Sequence, residues 1–205
     1  MSFKASFIFI SLSSLFLSSS VFAAAPKVVL IALDDIVIPV LYKPTPLLPN
    51  LDTVKQGYLD AINQARLQTQ DCGVYGIQSP APALTWSEKL YDASTMHSND
   101  MAQANTFSHT GSGLQSDIVA QINHPNVGST IQERIEHTGY NWSQYGENIS
   151  AGYSSVEDIM IGWLNSDRHC VNIMNPNFKN VAMSLVTKEG SQYHYYWTQD
   201  FGTQQ

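Results

Sequence analysis

Tyr145-Gly146-Glu147-Asn148-Ile149-Ser150 sets one carboxylate and one amide between a glycine and a β-branched residue, in a chain with only 13% charged residues. Typical domains carry roughly a quarter, so a carboxylate in such a stretch stands out. The stretch reads as a short strand running through Gly152. Phe107-Ser108-His109-Thr110-Gly111 lies upstream of it, and Ser166-Asp167-Arg168-His169-Cys170-Val171-Asn172-Ile173-Met174 lies downstream. The fold is expected to bring these three segments together.

Working outward, Ser155 and Asp158 cap a helix that turns Val156, Ile159, Met160, Trp163 and Leu164 inward. Ser166 restarts a helical stretch, which Asn175-Pro176 ends because the residue before a proline is pushed out of the helical region. Val181 to Thr187 and Gln192 to Phe201 alternate as the two arms of a hairpin. Towards the start, Asn50 caps a helix with Leu51, Val54, Tyr58, Ala61, Ile62 and Ala65 on one face. Thr85-Trp86-Ser87-Glu88 has the form of a capping box for a second helix, with Leu90, Ala93, His97 and Met101 on its apolar stripe. His97 therefore reads as a hydrogen-bonded core histidine. Residues 111–128 are polar and loop-like, with one helical turn near Ile118 to Ile122, and Thr130 to Glu133 is a second capping box for a helix ending at Gly139. Helices first and strands last, without βαβ alternation, predict an α+β fold with helices packed on an antiparallel sheet.

Residues 1–24 read as a signal peptide: Lys4, a short apolar centre broken by serines, then Val21 and Ala23 at the cleavage spacing. Residues 25–50 form an apolar leader, extended and limited by Pro39 to an edge or arm, followed by the stiff Pro44-Thr45-Pro46-Leu47-Leu48-Pro49 linker. Residues 51–205 are then one domain. The product is expected to be secreted or periplasmic, monomeric, and without a transmembrane segment once mature. A net charge of −7 with no Lys/Arg cluster speaks against nucleic acid as a partner. In an exported protein the two cysteines, Cys72 and Cys170, read as a disulfide. His169-Cys170 also invites a histidine-activated thiol, but neighbours on a helix point apart, and an oxidised partner removes the thiolate.

Histidine and glutamate in converging loops have three ordinary uses: metal ligation, acid/base catalysis and a structural hydrogen-bond network. His109, Glu147 and His169 are the ligand set of an open zinc site, although they lack the close spacing of two histidines on one helix. For catalysis there is no nucleophile elbow and no second carboxylate near Glu147 in sequence. Asn148 and Asn172 read as amides that tie loops to the backbone.

Together, Leu84-Thr85-Trp86, His97-Ser98-Asn99-Asp100-Met101, Phe107-Ser108-His109-Thr110-Gly111, Gly146-Glu147-Asn148-Ile149, Trp163-Leu164-Asn165-Ser166 with His169-Cys170-Val171-Asn172-Ile173-Met174, and Tyr196-Trp197-Thr198-Gln199-Asp200-Phe201-Gly202 resemble the CAP (SCP-like) superfamily, in its bacterial branch. The resemblance implies a three-layer α-β-α sandwich and a cleft where animal and plant members place two histidines and two glutamates. His109 and Glu147 fall on the first of each. Ser166 stands at the second glutamate's place, and the second histidine's place falls near Lys179. His109, Glu147, Asn148, Ser166 and His169 are the implied cleft residues, with His169 substituting among them. Cys72 and Cys170 match bacterial members that carry a bridge, and residues 117–128 look like an insertion beside the cleft. The implied function is a cleft that binds a small ligand, lipid-like or otherwise, with zinc or another divalent cation on His109, Glu147 and His169, and no firm catalysis. The alternatives are a hydrolase of peptides or cell-wall material, with Glu147 as base and His109 as acid or ligand, and a purely structural module.

Overall fold

The computed structural model describes residues 28–33 and 36–41 as backbone and residues 51–205, with side chains from residue 54 onward. The signal-peptide reading and the proline-rich linker lie outside the described residues. The chain divides into two compact units, residues 1–48 and 49–205. In the first, β1 (Val28–Leu33) and β2 (Ile36–Leu41) form an antiparallel ribbon with Leu30 opposite Pro39. Both strands of a two-stranded ribbon are edges, which is where a proline without an N–H donor is tolerated.

The second unit opens with α1 (Leu51–Arg66). Two short strands, β3 (Gln70–Asp71) and β4 (Ile77–Gln78), pair around a single 3-10 turn. β5 (Thr85–Trp86), α2 (Glu88–Ala104), α3 (Ile118–Asn123) and α4 (Ile131–His137) lead to β6 (Trp142–Ala151). After α5 (Val156–Leu164) and α6 (Asp167–Met174) come β7 (Asn180–Thr187) and β8 (Tyr195–Gln204). The capping box of α4 is present in full, and Ser155 accepts from the Asp158 N–H at the start of α5. The box expected at Thr85 is not formed. Thr85 N donates to Lys179 O at 2.9 Å, drawing Thr85 and Trp86 into a strand parallel to β7, and Ser87 becomes the cap of α2. The sheet is therefore mixed at this edge, whereas the sequence predicted only antiparallel pairing.

The main sheet runs β5-β7-β8-β6. Because side chains alternate along a strand, β7 and β8 send Val181, Met183, Trp197 and Phe201 to one face, where Tyr58, Ile62, Trp163 and Met174 of α1, α5 and α6 meet them. Ala182 and Tyr196 go to the other face, where Leu90, Ala93 and Met101 of α2 and Ile135 of α4 pack. This is the α-β-α sandwich. Gly146 belongs to the first face, where a Cβ would lie 2.8 Å from the Phe178 ring.

Cys72, just before the 3-10 turn, is bonded to Cys170 of α6 across a sequence separation of 98. Closing so long a loop removes unfolded-chain entropy worth about 4–5 kcal/mol. Replacing both cysteines by serine is expected to lower the melting temperature by about 10–20 °C, read by thermal denaturation.

Candidate functional site

Strand alternation decides which of the motif's side chains can act together. Glu147 pairs with Asp200 across β6 and β8, and both point to the α2/α4 face. Its carboxylate is fully buried. Oε1 accepts from His109 Nδ1 at 2.7 Å and Oε2 from Arg134 Nη2 at 2.8 Å. Burial works against the anion, but the Arg134 charge, then attraction to His97 and the hydrogen bonds from His109 and Arg134, outweigh it, and the Glu147 pKa is lowered to about 2. Arg134, only 2% exposed, sits on α4. Its guanidinium also donates to His109 O at 2.9 Å, to Ser129 O at 2.9 Å and to Ser129 Oγ at 3.3 Å. Ser129 is placed by the loop that the sequence read as an insertion. Asp117 caps α3 and accepts from Ser129 N at 2.8 Å and Gly113 N at 3.1 Å.

Two further buried groups surround Glu147. Burial, and then the neighbouring Glu147 charge, raise the Asp200 pKa well above its ordinary value, and its Oδ1 is buried without a hydrogen-bond partner. His97 is fully buried, as its place on an apolar stripe predicted, and Nε2 donates to Ser108 O at 2.9 Å. Its 3.9 Å approach to Glu147 is not an ion pair. Burial lowers the His97 pKa to about 4 against the attraction of Glu147, so the ring is neutral at pH 7.

His109 is the solvent-facing member, with its side chain 49% exposed. It fronts a cleft of about 260 Å³ shared with Thr110, Thr130, Ile131, Gln132 and Tyr145. The structure thus joins His109 to Glu147, but it does not add the other expected residues to the lining. Asn148 follows Glu147 on the strand and so points to the opposite face. It is fully buried, and its Nδ2 donates to His169 O and Gln199 Oε1 at 3.2 and 3.0 Å. It lies outside the lining of the His109 cleft, and Asn172 donates to its Oδ1 at 2.9 Å. Ser166 is the N-cap of α6, without a side-chain cap bond. His169 is half-buried, and burial followed by repulsion from His109 lowers its pKa. Lys179 is exposed and donates to Pro176 O at 3.3 Å.

A divalent ion on Glu147 does not fit this donor set. Among the described residues no group of three or more His, Cys, Asp or Glu is placed to hold a metal. Both Glu147 oxygens are already bonded, one of them to a buried guanidinium. The same geometry removes Glu147 as an accessible base.

Sequence reading missed Arg134, Asp200 and the α4 side of the cleft. Arg134 follows Ile131 by three and precedes Ile135 by one, a spacing that puts it beside the buried stripe of a short helix. Asp200 continues the inward series Tyr196, Thr198. It also supplies the second carboxyl that local sequence lacked, because cross-strand pairing joins segments far apart in the chain.

An α-β-α sandwich in which a turn histidine meets a buried glutamate of β6 defines the class. The model of the CAP family, the Cysteine-rich secretory protein family, matches residues 59–201, and the chain belongs to that family. It is 31% identical over 114 residues to the uncharacterized protein YkwD of Bacillus subtilis, a match spanning 56% of this chain and 37% of that protein. A second relative, the uncharacterized membrane protein YlbC of the same organism, is 26% identical over 118 residues, spanning 58% of this chain and 28% of its own length. The chain therefore matches well under half of either relative. The crystal structure of an extracellular protein containing a SCP domain from Bacillus anthracis shares the fold, with a TM-score of 0.51 and 24% identity over 78% of this chain and 45% of that one.

Two outcomes follow from the buried network. Arg134→Met leaves Glu147 buried and unpaired and is expected to cost about 3–5 kcal/mol, while adding Glu147→Gln restores a large part of it; urea denaturation of the double-mutant cycle measures both. His97 contributes stability in full above its unfolded pKa near 6.5 and loses it as pH falls towards about 4. Asp200 titrates in the opposite sense, but equally in wild type and in His97→Gln. The advantage of wild type over His97→Gln is therefore expected to shrink by something on the order of 3 kcal/mol between pH 7 and pH 4, read from urea midpoints at the two pH values.

Proposed function

We propose that this chain is an exported CAP domain that binds a small ligand at the His109 cleft without turning it over. The observation that carries the reading is a half-exposed imidazole whose Nδ1 is committed to a buried carboxylate while the ring fronts a cleft. Such an imidazole is oriented before any ligand arrives, which lowers the ordering cost of binding. At about 260 Å³ the cleft is slightly smaller than the roughly 300–1,000 Å³ of sites for drug-sized ligands, so it suits a small ligand or one end of a longer one. Export is supported by the signal-like start of the sequence and by the disulfide, which persists in oxidising compartments. No helix among the described residues is long and apolar enough to cross a membrane. A lipid-like ligand would find a more apolar lining elsewhere, in a groove of about 350 Å³ bordered by Val54, Tyr58, Val156, Leu185 and Trp197.

One observation favours hydrolysis as a second reading. With Nδ1–H donated to Glu147, His109 Nε2 carries the lone pair of a general base. In that reading the base is His109 and the nucleophile is water, since Glu147 is occupied. A fragment screen by NMR is expected to shift the resonances of His109, Thr110, Gln132 and Tyr145, and His109→Ala is expected to abolish those shifts. Peptide and peptidoglycan panels, with and without zinc, are expected to release no product. His109-dependent release would move the assignment to the hydrolase.

A further inference from the structure

We infer that the buried guanidinium of Arg134 takes the place of a metal ion in this site, positioning His109 through Glu147 so that the cleft selects neutral, hydroxyl-bearing ligands. The choice of ligand rests on the cleft-binding reading above. The role of Arg134 does not.

The guanidinium bridges three of the segments around Glu147. Nη1 holds Ser129 at the end of the 111–128 loop, and Nη2 holds the backbone of the His109 turn and the Glu147 carboxylate of β6. Its planar fork fixes these directions, as a compact ammonium would not. A dication at Glu147 would lie beside a full positive charge that has no solvent to retreat into, where charges repel far more strongly than in water.

The consequence for His109 follows from hydrogen-bond chemistry. The carboxylate oxygen is an acceptor only, so Nδ1 bears the proton, and Nε2 of the neutral ring is an acceptor. Among the described residues, no ionisable side chain apart from this imidazole and the Tyr145 phenol borders the cleft, and no Lys, Arg, Asp or Glu does. Arg134 is nearby but buried and fully engaged on its Nη atoms. An anionic ligand would lose its hydration without gaining a counter-charge, and a cationic ligand likewise. A hydroxyl can donate to Nε2, while Thr110 Oγ1 and the Tyr145 hydroxyl offer further hydrogen bonds. Tyr145, packed edge-on against Trp142 at 4.9 Å, and Ile131 supply apolar surface for the carbon skeleton. A sugar or other polyol has this combination of groups.

Imidazole ¹⁵N NMR on the folded protein tests the first half without any variant. The Nδ1–H tautomer of His109 is expected, unchanged by EDTA or by a stoichiometric excess of zinc. Saturable one-to-one zinc binding that displaces the Nδ1 proton overturns it. Among variants, Arg134→Lys is expected to keep the tautomer and Arg134→Gln to mix the two; an unmixed Arg134→Gln spectrum also overturns it. If Arg134→Gln does not fold, the zinc titration of wild type and the Arg134→Lys spectrum still decide the point. For the ligand class the probes are methyl glucoside and methyl glucuronide, which differ by a carboxylate. The glucoside is expected to shift His109 Nε2 at millimolar concentration, and the glucuronide to need at least tenfold more. The reverse preference, or binding of neither, overturns the ligand class. Failure of the whole fragment screen overturns the cleft-binding reading instead, and leaves the zinc and tautomer outcomes to judge Arg134.

Discussion

The buried pair of Arg134 and Glu147 is the interaction on which the site depends. Removing two charges from water is expensive, and their attraction repays it only when the remaining donors and acceptors are also satisfied. Here Glu147 gains His109 and lies opposite Asp200 of β8, and Arg134 gains two carbonyls and a hydroxyl while its Nε is buried without a partner. These partners come from the 108–110 turn, the 129 loop end, α4, β6 and β8. The pair therefore ties the local geometry of five segments to one ion contact.

The charge states around it are mutually consistent. Arg134 offsets Glu147, and the buried Asp100, which also attracts a proton to His97, is held by Ser112 and Ser116. A protonated His97 would be a second buried cation, and an ionised Asp200 a second anion beside Glu147. Burial disfavours both charged forms, lowering the His97 pKa and raising that of Asp200. His109 stands at the solvent boundary and is tied to the interior by its ring bond to Glu147 and by the Arg134 bond to its carbonyl.

Much of the fold was legible because its signals are local. The capping box at Thr130, the Ser155 cap, the apolar stripe of α2 and the alternation of β8 all require only a few adjacent residues. Thr85 was misread because its local pattern suits a helix cap equally well, and the decision belongs to Lys179, distant in sequence. The site divides along the same line. His109 and Glu147 were visible as rare ionisable groups, and the amide role of Asn148 was visible as chemistry. Its placement in the cleft failed because two successive strand residues cannot face one way. Arg134 and Asp200 become partners only when α4 crosses the sheet and β8 pairs with β6.

A site assembled in this way differs physically from one assembled around a metal. A metal site is completed by an ion whose binding free energy is added after or during folding and varies with its supply. A guanidinium is covalently part of α4, so its charge is present at one equivalent whenever the chain is folded, in any exported environment. Its bonds are directional, whereas a metal leaves coordination positions open to exchange. The fixed cation thus gives up an open electrophilic position and retains orientation. In the proposed reading, orientation serves to hold a ligand at His109, and it is a weak basis for breaking one.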